Sequence, residues 1–193
     1  MKRVFRFLFL APILFGSTAM AIEEPTYEVL LETRHYEVRR YEPYIVAEVD
    51  VDADFERAGN SAFSVLAGYI FGDNEPQQKM SMTAPVESAG GDAPYTYSFV
   101  MERKYTIESL PEPNNPDIRL VQRPGRIMAV HRYSGGWSEK RYLEHEKVLL
   151  DALAEDRVKT RGTPVFARYN APFTPWFLRR NEIMVEIDWK ETN

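Results

Sequence analysis

The stretch Ile45-Val46-Ala47-Glu48-Val49-Asp50-Val51-Asp52-Ala53-Asp54-Phe55 changes its rhythm partway along. Ile45, Ala47, Val49 and Val51 alternate with Glu48, Asp50 and Asp52, and a period of two marks a half-buried strand. From Phe55 onward the apolar residues return every three or four positions, at Ala58, Ala62, Leu66 and Tyr69. That spacing predicts a helix over 55–70. Asp54 is its N-cap candidate and Gly72 stands just past its end. A strand therefore feeds directly into an amphipathic helix.

The same order of elements returns about 82 residues later, with Ile127 matching Ile45, Ala129 matching Ala47 and Trp137 matching Phe55. Ser138 is the N-cap candidate of a second helix over 139–155. After the first helix come an extended piece at 82–86 and a strand at 95–102. After the second come a strand at 165–169 and a final strand with Ile183, Val185, Ile187 and Trp189 on one face. Thr83-Ala84-Pro85-Val86 is echoed by Thr163-Pro164-Val165. Each half is expected to open with a hairpin, the second formed by 119–123 and 126–133 around Pro124-Gly125. The fold class is thus α+β. Duplicated strand–helix–strand–strand units form a distorted antiparallel barrel or curved sheet with two packed helices. The Pro-rich connector at 110–116 is too short for a domain boundary, which leaves one domain.

The N-terminus reads as a secretory signal peptide over 1–21. Lys2, Arg3 and Arg6 precede the apolar run 7–15, and Ala19-Met20-Ala21 offers a small-x-small cleavage site. The run is about half of the roughly 20 residues that span a bilayer. The expected product is an exported, periplasmic domain over 22–193, with no stable membrane insertion after cleavage. The leader holds three basic and no acidic residues, so its loss moves the net charge from −5 to −8. An acidic chain is a poor partner for nucleic acid. The absence of Cys excludes disulfides, thiolate nucleophiles and Cys–zinc sites.

No catalytic signature emerges, and the expectation is a binding protein and not an enzyme. Gly59-Asn60-Ser61-Ala62-Phe63 breaks the Gly-x-Ser-x-Gly pattern. His35, His131 and His145 are scattered. Asp50-Val51-Asp52-Ala53-Asp54 lacks the Gly and Glu of a calcium loop. Glu182, Glu186 and Asp188 alternate along the last strand and read as a solvated face. The first helix is unusual in carrying a second apolar stripe, Phe63, Ala67 and Ile70. That stripe either broadens the core contact or lines a pocket. Residues 170–180 form a rigid aromatic loop containing Pro172, Phe173, Pro175, Trp176 and Phe177. Such loops close a core or touch a ligand.

Four motifs add a family resemblance. They are Tyr36-Glu37-Val38-Arg39-Arg40-Tyr41, Tyr69-Ile70-Phe71-Gly72-Asp73-Asn74-Glu75, Lys79-Met80-Ser81-Met82-Thr83-Ala84-Pro85-Val86, and Tyr169-Asn170-Ala171-Pro172 with Arg179-Arg180-Asn181-Glu182. With them the chain resembles the SOUL haem-binding family, and the resemblance covers about 36–189. The resemblance implies a distorted barrel with two helices, related to bacterial effector-binding domains. It also implies non-covalent binding of haem or a similar tetrapyrrole, between the first helix and the loop before the last strand. In this chain the corresponding residues are Asn60, Phe63, Ser64, Ala67, Phe173, Trp176, Phe177 and Arg179, with Arg180 as a further candidate.

In some members a His of the first motif is the proposed axial iron ligand, and here that position is Arg40. His131 could substitute, or could be a hydrogen-bonded core residue. Burying roughly 400 Å² of porphyrin yields about 10 kcal/mol before association costs. A useful affinity then also requires pairing of the propionates, for which an arginine fork is suited. Arg179 or Arg180 could supply it. Two rival readings remain. One is a small-molecule hydrolase or effector-binding module on the same scaffold, which a glutamate buried in the pocket would favour. The other is an envelope protein acting through protein contacts.

Overall fold

The computed structural model describes residues 22–90 and 94–190, and the expected leader at 1–21 lies outside them. Among the described residues the chain forms β1 (Tyr27–Glu32), β2 (Glu37–Tyr41), β3 (Tyr44–Val51), α1 (Phe55–Ile70), β4 (Val86–Ala89) and β5 (Tyr95–Val100). It continues as β6 (Arg119–Arg123), β7 (Arg126–Tyr133), α2 (Glu139–Glu155), β8 (Thr160–Arg168), a 3-10 turn (Trp176–Leu178) and β9 (Asn181–Ile187). Both expected N-caps form. Asp54 accepts from the Arg57 N–H at 3.0 Å, and Ser138 accepts from the Arg141 N–H at 3.4 Å. Each satisfies one of the amide donors that a helix start leaves unpaired.

The strands build one antiparallel sheet in the order β1-β2-β7-β9-β8-β4-β5-β3-β6. With β1 set aside, the order is a palindrome of two halves, β2-β3-α1-β4-β5 and β6-β7-α2-β8-β9. The 82-residue offset relates β2 to β6 and β3 to β7 residue for residue. The registers obey the same symmetry, because Tyr41 faces Arg126 and Tyr44 faces Arg123.

The expected hairpin of 119–123 with 126–133 does not form, although β1 and β2 pair as one at the start of the first half. β2 pairs with β7 and β6 pairs with β3, so each half gives its first strand to the other. Two-residue hairpin turns need positive φ, and Gly125 is not among the positive-φ residues. Pro124-Gly125 therefore redirects the chain instead of closing it. Gly125 is needed for a different reason. A Cβ there would stand 3.3 Å from the Tyr41 carbonyl oxygen and 3.6 Å from Pro43 Cδ, where the two connections pass each other.

This exchange also sets the curvature. Six strand spacings separate β2 from β3 in the sheet, or about 29 Å if it were flat. The link between Tyr41 and Tyr44 reaches only about 11 Å. The sheet must curl until its ends approach.

The curl separates two cores. The helices pack on the outer face, where α1 meets β3 and β5 and α2 meets β7, β8 and β9. Ala47, Val49, Tyr97, Phe99, Ala129, Phe166, Ile183 and Val185 fill that layer. Tyr44, Val46, Val100, Met128, Val130, Ala167 and Met184 fill the interior of the curl. The interior is also strongly polar. Glu182, expected on a solvated face, is fully buried. It accepts from Arg39 Nη1 at 2.9 Å, Arg180 Nε at 2.9 Å and the Tyr169 hydroxyl at 2.8 Å. Burial alone would raise its pKa, but Arg39 and Arg180 hold it below the usual carboxylate value. Alternation along β9 was legible in the sequence. That its polar face turns into a closed interior follows from the curl.

Candidate functional site

The chain enters α1 through the cap at Asp54 and lays Phe55, Ala58, Ala62, Leu66 and Tyr69 on the sheet. The helix turns enough that Phe63 stands at the margin of this contact. Its ring meets Phe99 edge-on at 5.4 Å, yet it remains 42% exposed. A groove of about 370 Å³ opens beside it. Phe55, Glu56, Gly59, Asn60 and Phe63 form the helical wall. Val86 and Arg168 come from the sheet, Trp137 from the turn before α2, and Pro172 from the aromatic loop. The volume falls in the range of small-molecule sites, and the lining is mainly apolar and aromatic.

Arg168 is the unusual member. β8 alternates so that Phe166 and Arg168 share the face beneath the helices. The guanidinium carbon lies 5.3 Å from the Phe166 ring centroid, 5.5 Å from Trp137 and 5.6 Å from Tyr97. Its Nε is enclosed and has no hydrogen-bond partner. Burial pulls its pKa below the ordinary arginine value, and the groups that oppose this are the phenols of Tyr97 and Tyr133. Among the described residues no carboxylate pairs with it. Sequence reasoning missed Arg168. The available signal was a cation two residues after Phe166, on the apolar face of a strand that runs into the Tyr169 motif.

Gly59 faces this arginine from α1. A Cβ there would stand 3.3 Å from the Tyr97 hydroxyl and 3.8 Å from Arg168 Nη2. Glycine inside a helix costs about 1 kcal/mol relative to alanine. In return the helix leaves a passage to the guanidinium.

The other expected site residues divide. Asn60 and Phe63 line the groove, and the aromatic loop reaches it through Pro172. Ser64 is exposed further along α1. Ala67 and Ile70 are buried in the main core, so the second stripe mostly broadens the core contact. Phe173, Trp176 and Phe177 are exposed beyond the lining, with Phe173 the most open at 90%. Arg179 ties this loop to its own backbone. Nε donates to the Thr174 carbonyl at 2.8 Å and Nη2 to the Pro172 carbonyl at 2.6 Å, while the guanidinium lies 4.2 Å from the Trp137 centroid. Arg180 turns to the interior and pairs with Glu24 and Glu182.

His131 has both ring nitrogens engaged, one 2.7 Å from the His35 carbonyl oxygen and the other 3.1 Å from His145 Nδ1. It is not part of the groove lining. Arg40 pairs with Glu28 at 2.8 Å and lines a separate cleft between β1, β2 and β7. No lining residue of the groove is a His, Met or Cys. Its sole carboxylate is Glu56, which is exposed.

The sequence profile described as SOUL heme-binding protein matches residues 22–186. Heme-binding protein 2 of Mus musculus is 29% identical over 191 residues, covering 89% of this chain and 93% of the relative. Heme-binding protein 2 of Homo sapiens is 27% identical, covering 86% and 90%. In architecture the chain is similar to the C-terminal domain of EcmrR, with a TM-score of 0.62, 10% identity and coverage of 84% of this chain and 98% of that one. At that identity the likeness concerns the fold alone. A profile match over most of the chain, joined to the duplicated half-barrel and its two helices, places this protein in the SOUL heme-binding family.

Proposed function

We propose that this protein binds haem, or a closely similar tetrapyrrole, non-covalently in the groove beside α1, and that it does so after export. The observation that carries the reading is an open apolar groove with an unpaired cation in its wall, in a chain of this family. The residues present fit the group. Phe55, Phe63, Val86 and Trp137 offer apolar surface to a porphyrin face, and Arg168 offers charge to a propionate. Haem would supply a large planar surface and two carboxylates. No side chain of the lining offers a strong axial ligand, so the binding is reversible and suits buffering or hand-over.

Export is supported by the basic, apolar and small-residue order of 1–21 and by the profile match, which starts at residue 22. The fold also engages the chain directly after that point. The Glu23 carbonyl accepts from the Ala84 N–H at 2.9 Å, and Glu24 pairs with Arg180. Mass spectrometry of protein from the native compartment should find Ile22 at the N-terminus. The observation that would have favoured a hydrolase, a glutamate buried in the groove, is not among the lining residues.

Haemin titration tests the main reading. The Soret band should shift and saturate near one equivalent, and Phe63→Asp should weaken the response. Absence of any spectral change up to about 100 µM, weaker than −5.5 kcal/mol, would sink it.

A further inference from the structure

We infer that Arg168 is the carboxylate anchor of the groove, and that the groove selects planar aromatic acids by their acid group. This rests on the ligand-binding reading above and deepens it.

Arg39 and Arg180, set in the interior of the curl, are matched to carboxylates. Arg39 pairs with Glu37 and Glu182, and Arg180 with Glu24 and Glu182. Removing a guanidinium from water without a counter-charge is unfavourable. Arg168 departs from this pattern. Three ring systems surround it, and they attract a cation through their π-faces. They hold its position without neutralising it; the Tyr97 hydroxyl hydrogen-bonds the guanidinium, and its Nε–H is left without a partner. An arginine so placed is preorganised for an incoming carboxylate, which can take two parallel hydrogen bonds from the fork.

The internal symmetry of the chain provides a control. The pairing registers of the two halves match Ser88 of β4 with Phe166 of β8, and so Gly90, just past β4, with Arg168. The equivalent position in the other half carries no side chain, so the fold does not require an arginine there. Aligning the helix caps, Asp54 with Ser138, sets Leu143 opposite Gly59 and Lys147 opposite Phe63. Gly59 and Phe63 of the first half and Arg168 of the second each lack a counterpart in the other half. They occur together, as the parts of one site would.

Glu56 at the mouth is the opposing charge, since it would repel an acid. It is exposed and not paired with Arg168, so solvent weakens that repulsion. Arginine keeps its proton at neutral pH. Binding should then follow the ionisation of the ligand's acid.

The experiment compares four probes on the wild-type protein: haemin, metal-free protoporphyrin IX, and the dimethyl ester of each. Quenching of tryptophan fluorescence reads binding. Each free acid should bind at least tenfold more tightly than its own ester. Arg168→Gln should remove this preference, Arg168→Lys should keep part of it, and Glu56→Gln should tighten the free acids about twofold. Equal binding of acid and ester overturns the inference while leaving the haem reading intact, as does an acid preference that survives in a folded Arg168→Gln variant. Binding of protoporphyrin without binding of haemin supports the anchor and overturns the haem reading. Failure of all four probes overturns both. Should Arg168→Gln not fold, the acid–ester comparison on the wild-type protein decides alone.

Discussion

Arg39 and Arg168 are both packed into this protein and both touch aromatic rings, but their charges meet different fates. Arg39, on β2, faces the interior of the curl, 4.4 Å from the Tyr27 ring centroid, and donates to Glu37, Glu182 and the Tyr41 hydroxyl. Arg168, on β8, faces the helix layer, with rings around it and no carboxylate. The first arrangement is closed and ties β2 to β9 across β7. The second is open on the side of the groove. A buried ion matched inside the fold reports on structure, and one left unmatched beside a cavity points to what the cavity receives.

Breaking the closed arrangement should have the largest effect. Glu182→Ala leaves Arg39 and Arg180 buried without their shared counter-ion and should lower unfolding free energy in urea by about 3–5 kcal/mol. The same pair predicts acid sensitivity. The folded pKa of Glu182 lies below its unfolded value near 4.5. Its contribution is therefore present above about pH 4.5 and lost as pH falls through the folded pKa. Glu182→Gln should flatten the stability–pH profile in that window. An unchanged profile would mean that other carboxylates control acid unfolding.

Arg168 should behave in the opposite way. Arg168→Met replaces an unmatched cation by an apolar chain and should leave stability within about 1 kcal/mol of wild type. Affinity for a porphyrin acid should fall about tenfold, or 1.4 kcal/mol. A large loss of stability would make Arg168 a structural residue and erase the contrast with Arg39.

Gly59→Ala sharpens the contrast further. Helix propensity favours alanine by about 1 kcal/mol, and the 3.3 Å approach of the new Cβ to the Tyr97 hydroxyl opposes it. Thermal unfolding should change by a few degrees at most, while haem affinity drops several-fold because the passage narrows. The smallest effect is expected at His131. Its nitrogens are engaged by the His35 carbonyl and His145. His131→Gln should leave the Soret position of the haemin complex unchanged, and a shift would reveal iron ligation that the groove does not offer.

How much was visible beforehand depended on the range of the interaction. The bounds of both helices and both N-caps were legible, because apolar spacing and capping act within a few residues. The repeat was legible from Ile45 and Ile127, and the structure extends it to β2 and β6. Partner choice was not legible. Pro124-Gly125 announces a turn, but nothing local tells the chain whether the strand after it returns or crosses to the other half. Glu182 was misread for the same reason, since its polar side of β9 is solvated in a flat sheet and sealed in a curled one. At the groove, Asn60 and Phe63 were found through the helix pattern and the family motifs. Arg168 was missed because its significance lies in what is absent around it.

The sequence by itself determined the elements, their duplication and the α+β class, since side-chain periodicity and caps are local properties of the chain. Only the tertiary structure decided that the halves exchange their first strands, that two-residue links force the sheet to curl, and that one arginine is left unmatched beside an apolar groove. These depend on contacts between residues far apart in the chain. A charge shows whether it has a partner only when every neighbour is in place.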